Sequence, residues 1–385
     1  MTVDELHARV VFSAMAEPGD PVLGALLAAH GWAHVWEAIT KDEAALPMAG
    51  VPAQVLDLRL QRWRARVRAV CGQTLLDRSE AVGARVLLPG GPDWPVQLDD
   101  LGPRRPCVLW VRGIRDLRHG ALRSVAVVGS RAASHYGLHV ATELGFALSE
   151  QNWTVLSGGA FGIDAAAHQA ALTAAASTGT AAGGTVAVLP CGIDLDYPRG
   201  NQRLFAHIAA QGNLVSELPP GVTPTRRGFL VRNRILAALV PGVVVVEAGR
   251  RSGAMNTIRH ALDLNRVTMA VPGPVTSALS MGCHTLLREA QAVCVTDASE
   301  VLDQVGPLLG SARPEQGRRL VPAPDMDPLA RQVLAAVPAQ RGVGPATIAA
   351  TVGCDLATAL RQLGLLAAAG HVERAAGGWR RSGQE

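Results

Sequence analysis

Residues 125–172 constrain the fold more than any other stretch of the chain. They open with VAVVGSRAASHYG (Val125–Gly137) and close with TVLSGGAFGIDAAAHQAAL (Thr154–Leu172). Each half is a short apolar run, a glycine turn and a helical pattern. Val125–Val128 reads as a buried parallel strand. Gly129, Ser130 and Arg131 form its turn, and Ser134 is placed to cap the next helix. Thr154–Leu156 reads as a second strand, with Gly158, Gly159 and Gly162 in its turn. Asp164 starts the following helix, where its charge suits the positive end of the dipole.

Two such turns on neighbouring parallel strands bring two helix N-termini to one crevice at the carboxyl edge of the sheet. Glycines there keep a Cβ from holding an anion away from the amides. The Arg131 guanidinium adds a fork that fits phosphate. Taken singly, each turn reads equally well as a tight strand-to-helix connection. Taken together, they imply recognition of phosphate.

The chain has 385 residues, 48% of them hydrophobic, enough for two or three domains. Residues 1–84 read as an N-terminal helical domain. It contains a short capped helix at Asp20–Gly31 and a longer one at Gln54–Val70. Arg59, Arg62 and Arg66 share one face of the longer helix, which reads as a solvated face or as a weak DNA or partner surface. Residues 85–304 hold the central domain, whose first part, Arg85–Gly113, reads as a layer feeding the main sheet. Strands are expected at Val125–Val128, Thr154–Leu156, Thr185–Leu189, Leu214–Glu217, Val243–Glu247, Thr268–Val271 and Val293–Thr296. Their alternation with helical patterns implies an α/β fold built on a doubly wound parallel sheet. Thr173–Gly184 reads as a low-complexity loop. Residues 305–327 read as a linker. Residues 328–385 give three helices and a hairpin, a winged-helix layout. Its third helix carries one charge, Arg361, so the module suits DNA or protein contact.

Several classes are disfavoured. No apolar run approaches the ~20 residues of a membrane span, and the first residues lack a signal-peptide core, so a cytoplasmic location is expected. The six cysteines are scattered without CxxC, which points to neither disulfides nor zinc. No Walker A sequence, G-x-G-x-x-G with a downstream acid or nucleophile elbow is present. Asp194 and Asp196 suit loop hydrogen bonding better than a metal, for want of a third ligand. Neither a metal, a cofactor nor a catalytic residue is assigned.

Charge is unevenly placed. The net charge is +4, yet Arg199–Arg234 holds six arginines against one acid, Glu217. Arg226, Arg227, Arg232 and Arg234 surround Phe229 behind a proline-led loop. Cations around an aromatic compose a single-stranded nucleic-acid groove, where charge follows the backbone and a ring stacks on a base. A buried Phe229 among solvated arginines is the competing reading.

GSRAAS (Gly129–Ser134), SGGAFGIDAAAH (Ser157–His168), VLPCGIDLDYPRGN (Val188–Asn201), SELPPG (Ser216–Gly221), FLVRNRI (Phe229–Ile235) and VVVVEAGRRSG (Val243–Gly253) resemble, in order, the motifs of DNA-processing protein A, the DprA/Smf family. The resemblance implies an α/β, extended Rossmann-like fold, and a homodimer that binds single-stranded DNA, protects incoming DNA and loads the recombinase RecA onto it in natural transformation and homologous recombination. It implies a DNA-binding set of Gly129, Ser130, Arg131, Ser134, Gly158, Gly159, Gly162, Arg226, Phe229, Arg232, Asn233 and Arg234. Arg226 stands in for the lysine that many members carry. The alternative is a Rossmann-like nucleotide-processing enzyme of the phosphoribohydrolase kind. The nearest match to the PGG-x-GT-x-x-E hallmark of those enzymes, Pro272–Gly282, lacks the paired glycines and the acid.

Overall fold

The apolar runs pair into one sheet in the computed structural model of the chain, which describes residues 4–41, 46–47, 50–178, 183–306, 328–338, 342–368, 371–375 and 378–381. The strands are β1 (Ala84–Leu87), β2 (Leu109–Gly113), β3 (Ser124–Val128), β4 (Thr154–Ser157), β5 (Thr185–Val188), β6 (Asn213–Ser216), β7 (Gly242–Val245), β8 (Val267–Ala270) and β9 (Val293–Cys294). Their order across the sheet is β1-β2-β6-β5-β4-β3-β7-β8-β9. The run from β6 to β9 is parallel throughout. The expected strands are all present, within a residue or two at each end. The stretch 85–113 goes further than a feeding layer, because β2 pairs antiparallel with β6 and β1 with β2.

Helices cover both faces. They are α1 (Glu5–Met15), α2 (Pro21–Thr40), α3 (Ala53–Val67), α4 (Gly72–Ala81), α5 (Leu117–Leu122), α6 (His135–Glu150), α7 (Ile163–Thr178), α8 (Gln202–Gln211), α9 (Arg226–Leu239), α10 (Gly253–Asp263), α11 (Met281–Arg288) and α12 (Ala298–Val305). The pleat of β3 shows why its sequence is apolar without alternation. Val125 and Val127 point into the core shared with α6, α7 and α12, and Ala126 and Val128 into the core shared with α9, α10 and α11. Burying each such valine stabilises the fold by roughly 1.5–3 kcal/mol.

Two expectations change. Thr173–Thr178, read as the start of a loop, is the last turn and a half of α7. Its alanines favour helix over coil, which outweighs the low-complexity appearance. Gly31 ends the first half of α2, with φ of 75°, but a second helical half continues to Thr40.

The chain divides into two units, Met1–Gly306 and Pro307–Glu385. Helices α1 to α4 belong to the same unit as the sheet. The expected linker lies outside the described residues beyond Gly306. The second unit holds α13 (Pro328–Ala336), α14 (Pro345–Val352), α15 (Leu356–Ala368) and a hairpin of β10 (Val372–Ala375) with β11 (Gly378–Arg381). Val343 adds an antiparallel bridge to Trp379. Val333, Val337, Ile348, Leu363, Leu366 and Val372 form its core. Among the described residues, no helix is long and apolar enough to cross a membrane.

Candidate nucleic-acid interface

The strand order reverses between β3 and β7. At such a switch point the loops leaving the two strands part and open a crevice. The turns after β3, β4 and β7 all reach this edge, as do the first turns of α6, α7, α9 and α10.

Two of those helix starts are already occupied by the protein's own carboxylates. Glu247, 1% exposed, ends the β7 run and reaches α6. Its carboxylate accepts from the Ser134 amide at 2.9 Å and from the Ser134 hydroxyl at 2.5 Å, while that hydroxyl accepts from the Gly137 amide. Asp164 folds back at the start of α7 and accepts from the amides of Gly158 at 3.1 Å and Ala160 at 3.3 Å. Burial pushes the Asp164 carboxyl up, against the pull of Arg232 and those amides. The starts of α6 and α7, read from the sequence as paired anion-binding amides, are thus faced by Glu247 and Asp164. Ser134 serves as a cap and as the ligand of Glu247.

The glycines fit the tight strand-to-helix connections that each turn also reads as. A Cβ on Gly129 would lie 2.5 Å from Ile163, and one on Gly158 would enter the Arg232 guanidinium. A Cβ on Gly159 would strike the Phe205 ring, and one on Gly162 would lie 2.3 Å from the Ser130 carbonyl oxygen. Gly159 and Gly162 have φ of 67° and 75°, a region closed to most L-residues. These four positions let the turns pack against each other and against the core. Gly253, which opens α10 at this edge, faces open space: a Cβ there meets nothing within 4 Å.

Helix α9 sorts the arginines by its faces. Thr225 caps it, accepting from the Gly228 amide at 3.0 Å. Arg226 is exposed at the cleft. Arg232 is buried beneath, where it donates to the carbonyls of Gly158, at 2.7 Å, and Val188. Burial lowers it to about 10. Asn233 accepts from Arg232 and donates to Asn256 at 3.1 Å, tying α9 to α10. Arg234, 1% exposed, makes a two-pronged pair with Glu217 at 2.6 and 2.8 Å and donates to the Arg104 carbonyl. Glu217 also accepts from the Gly19 amide, so the pair fastens the α1–α2 turn to the sheet domain. The expected set thus divides. Arg131, Arg226 and Phe229 face the cleft with Ser130 and Asn233. Arg232 turns its guanidinium to backbone oxygens, and Arg234 lies on the other side of α9.

What remains is an open cleft of about 700 Å³, walled by the turns after β3 and β7, by α9 and by the first turn of α10. Arg131, Arg226 and Arg251 line it, exposed and without a hydrogen-bonded or ion-paired partner among the described residues. The Arg131 guanidinium lies 4.6 Å from the Phe229 ring centroid, a cation–π contact that orients it. Tyr197, 40% exposed, meets Phe229 edge-on at 5.8 Å. The binding set read from the sequence left out Arg251 and Tyr197, while Ser252–Gly253, read as a helix start at this sheet edge, does open α10. The signal was there in GRRSG, two arginines immediately before a capping serine at the same sheet edge.

In this Rossmann-like fold, then, unpaired guanidiniums are set around a half-buried ring in the switch-point crevice. The comparisons give it a family. The sequence model described as DNA recombination-mediator protein A matches residues 85–306. A putative DNA processing protein DprA of Mycobacterium tuberculosis H37Rv is 45% identical over 313 residues, 77% of each chain. The crystal structure of DprA from Streptococcus pneumoniae superposes with a TM-score of 0.62 at 29% identity, over 79% of this chain and 99% of that one. DNA processing protein A from Helicobacter pylori, whose structure was described for its single-stranded DNA binding mode, gives 0.50 at 27% identity, over 57% and 94%. The chain belongs to the DNA recombination-mediator protein A family, also called DprA/Smf.

Proposed function

We propose that the chain binds single-stranded DNA in the cleft and delivers it to RecA during recombination. The observation that carries the binding is the constellation of Arg131, Arg226 and Arg251 around Phe229. Phosphates follow the three guanidiniums, and a base stacks on the Phe229–Tyr197 platform. A duplex keeps its bases inside, so the platform favours the single strand. The H. pylori relative's single-stranded DNA binding supports the same reading. Delivery to RecA, a homodimeric state and a winged-helix role for the second unit rest on the family resemblance.

The test is a fluorescence-anisotropy titration of a labelled single-stranded oligonucleotide, with matched duplex as competitor, at several salt concentrations. Preference for the single strand is expected, with a log–log salt slope of about −2 from three phosphate contacts. Binding that is indifferent to salt, or equal for duplex, would refute the cleft as a single-strand groove.

A further inference from the structure

A second basic cleft, of about 550 Å³, lies on the other side of α9. Arg59, Arg62 and Arg66 of α3 line it, with Arg104 and with Arg227 and Arg234 of α9. Arg234 is neutralised by Glu217. Arg59 pairs with Asp20 at 2.6 Å. Glu17 is shared, 3.5 Å from Arg66 and 3.7 Å from Arg227. The side chains of Arg62 and Arg104 are exposed and take no hydrogen-bonded or ion-paired partner among the described residues. Once the Arg234 pair is set aside, Glu17 and Asp20 leave three positive charges in excess.

Helix α9 is the wall between the two clefts. Arg226, Phe229, Leu230 and Asn233 face the first, and Arg227, Val231 and Arg234 the second. These are the i, i+3/i+4, i+7 spacings of two helix faces. Arg226 and Arg227 are consecutive and exposed on the first turn, so the charge is continuous across it. A helix is about 10–12 Å across, the length of about three stacked nucleotides at ~3.4 Å each.

We infer that the α3–α9 cleft carries the phosphate backbone of the same single strand beyond the first cleft, which rests on the binding proposed above. The chemistry favours a phosphate backbone over a protein partner. A protein interface needs a buried apolar or aromatic anchor, and the aromatic lining this cleft, Trp63, is already 4% exposed in the core of the helical domain. A phosphate chain needs only spaced cations.

The experiment compares labelled oligothymidylates of about 5 and about 20 nucleotides on the full chain and its Arg62→Ala/Arg104→Ala variant, within the range single-strand sites span. The two side chains make no structural bond, so the unfolding midpoint should stay at the parent value. The expected result is unchanged affinity for the short strand and at least fivefold weaker binding of the long one. The salt slope for the long strand should become shallower by about 1.4, two contacts at ~0.7 each. The Arg62→Gln/Arg104→Gln variant should reproduce both changes. Equal affinity and slope for the long strand in parent and variant would overturn the inference while leaving the first cleft intact. Equal weakening of both lengths would overturn it too, by placing the effect in the first cleft. A parent that binds neither length would refute the binding proposal and the inference with it.

Discussion

Replacing Arg234 by methionine should unfold the protein more readily and leave the DNA cleft's own chemistry untouched. The side chain is 1% exposed and bonds to both carboxylate oxygens of Glu217, to the Arg104 carbonyl and to the Val231 carbonyl. Methionine fills much of the volume but leaves Glu217, 8% exposed, as a buried charge with only the Gly19 amide. Breaking such a pair from one side costs about 3–5 kcal/mol. The first unit has about 300 residues, and at ~2.1 cal/mol/K per residue that cost lowers the melting temperature by about 5–8 °C. Differential scanning fluorimetry measures it. The double variant Arg234→Met/Glu217→Leu should recover part of the loss, because the uncompensated charge is gone, but not all of it. The Gly19 amide and the Arg104 carbonyl still lack partners. Affinity for an oligonucleotide of about 5 nucleotides, measured well below the transition, should stay within about twofold of the parent, since the guanidinium lies behind α9 from the first cleft. A single variant that melts with the parent and loses DNA affinity would refute this account and return Arg234 to the binding set.

Phe229→Ala should weaken single-strand binding by roughly tenfold in anisotropy, within the ~1–3 kcal/mol of one stacked base, and Arg131→Ala should weaken all sequences alike. Unchanged affinity in Phe229→Ala would mean that no base uses the ring. Gly162→Ala should lose about 1–2 kcal/mol from its left-handed φ alone, and more from the approach to the Ser130 carbonyl, whereas Gly253→Ala should melt with the parent. Urea unfolding separates the two, and equal stability would refute the packing role given to the β4 turn. His168 is fully buried, its Nδ1 is bonded to Thr185 Oγ1, its Nε2 has no partner, and burial holds it down to about 3. The unfolded chain takes up this proton first, near its usual ~6.5, so stability is full above that pH and falls as pH drops toward 3, by up to about 1.4 kcal/mol per unit. Urea titrations at pH 6 and below should show a shallower fall in His168→Gln; identical slopes would remove His168 from the acid response.

The parallel core was readable because its signal is local. Ser124–Val128 and Gly242–Val245 are buried at every position, and a run apolar on both faces has few other places to go. The antiparallel pairing of β2 with β6 joins residues about a hundred apart, and nothing within Leu109–Gly113 specifies that partner. The arginines of α9 were legible as a group and not as individuals. Helical spacing alone separates Arg226, Phe229 and Asn233 from Arg227, Val231 and Arg234, and applying it to Pro219–Val240 would have divided the set. It could not have shown that Glu217 awaited Arg234, or that Gly158 gives its carbonyl to Arg232. Those pairings exist only once β6 and α9 are packed.

The same limit explains the glycine turns. A glycine-rich strand-to-helix turn signals close approach, but not of what. Here Gly129 admits Ile163, Gly162 admits the Ser130 carbonyl, and Gly137 admits the Glu247 carboxylate. With Glu247 at the start of α6 and Asp164 at the start of α7, the helix dipoles at this edge already face negative charge. A strand of phosphates brought there would meet two carboxylates before it met an amide. Attraction must come from groups that stand clear of those acids, and Arg131, Arg226 and Arg251 do so on three different loops or helix ends. The carboxylates then have a consequence of their own. On the binding proposed above, they would repel phosphate from the turns and leave the rim arginines and the Phe229 ring as the path for the strand.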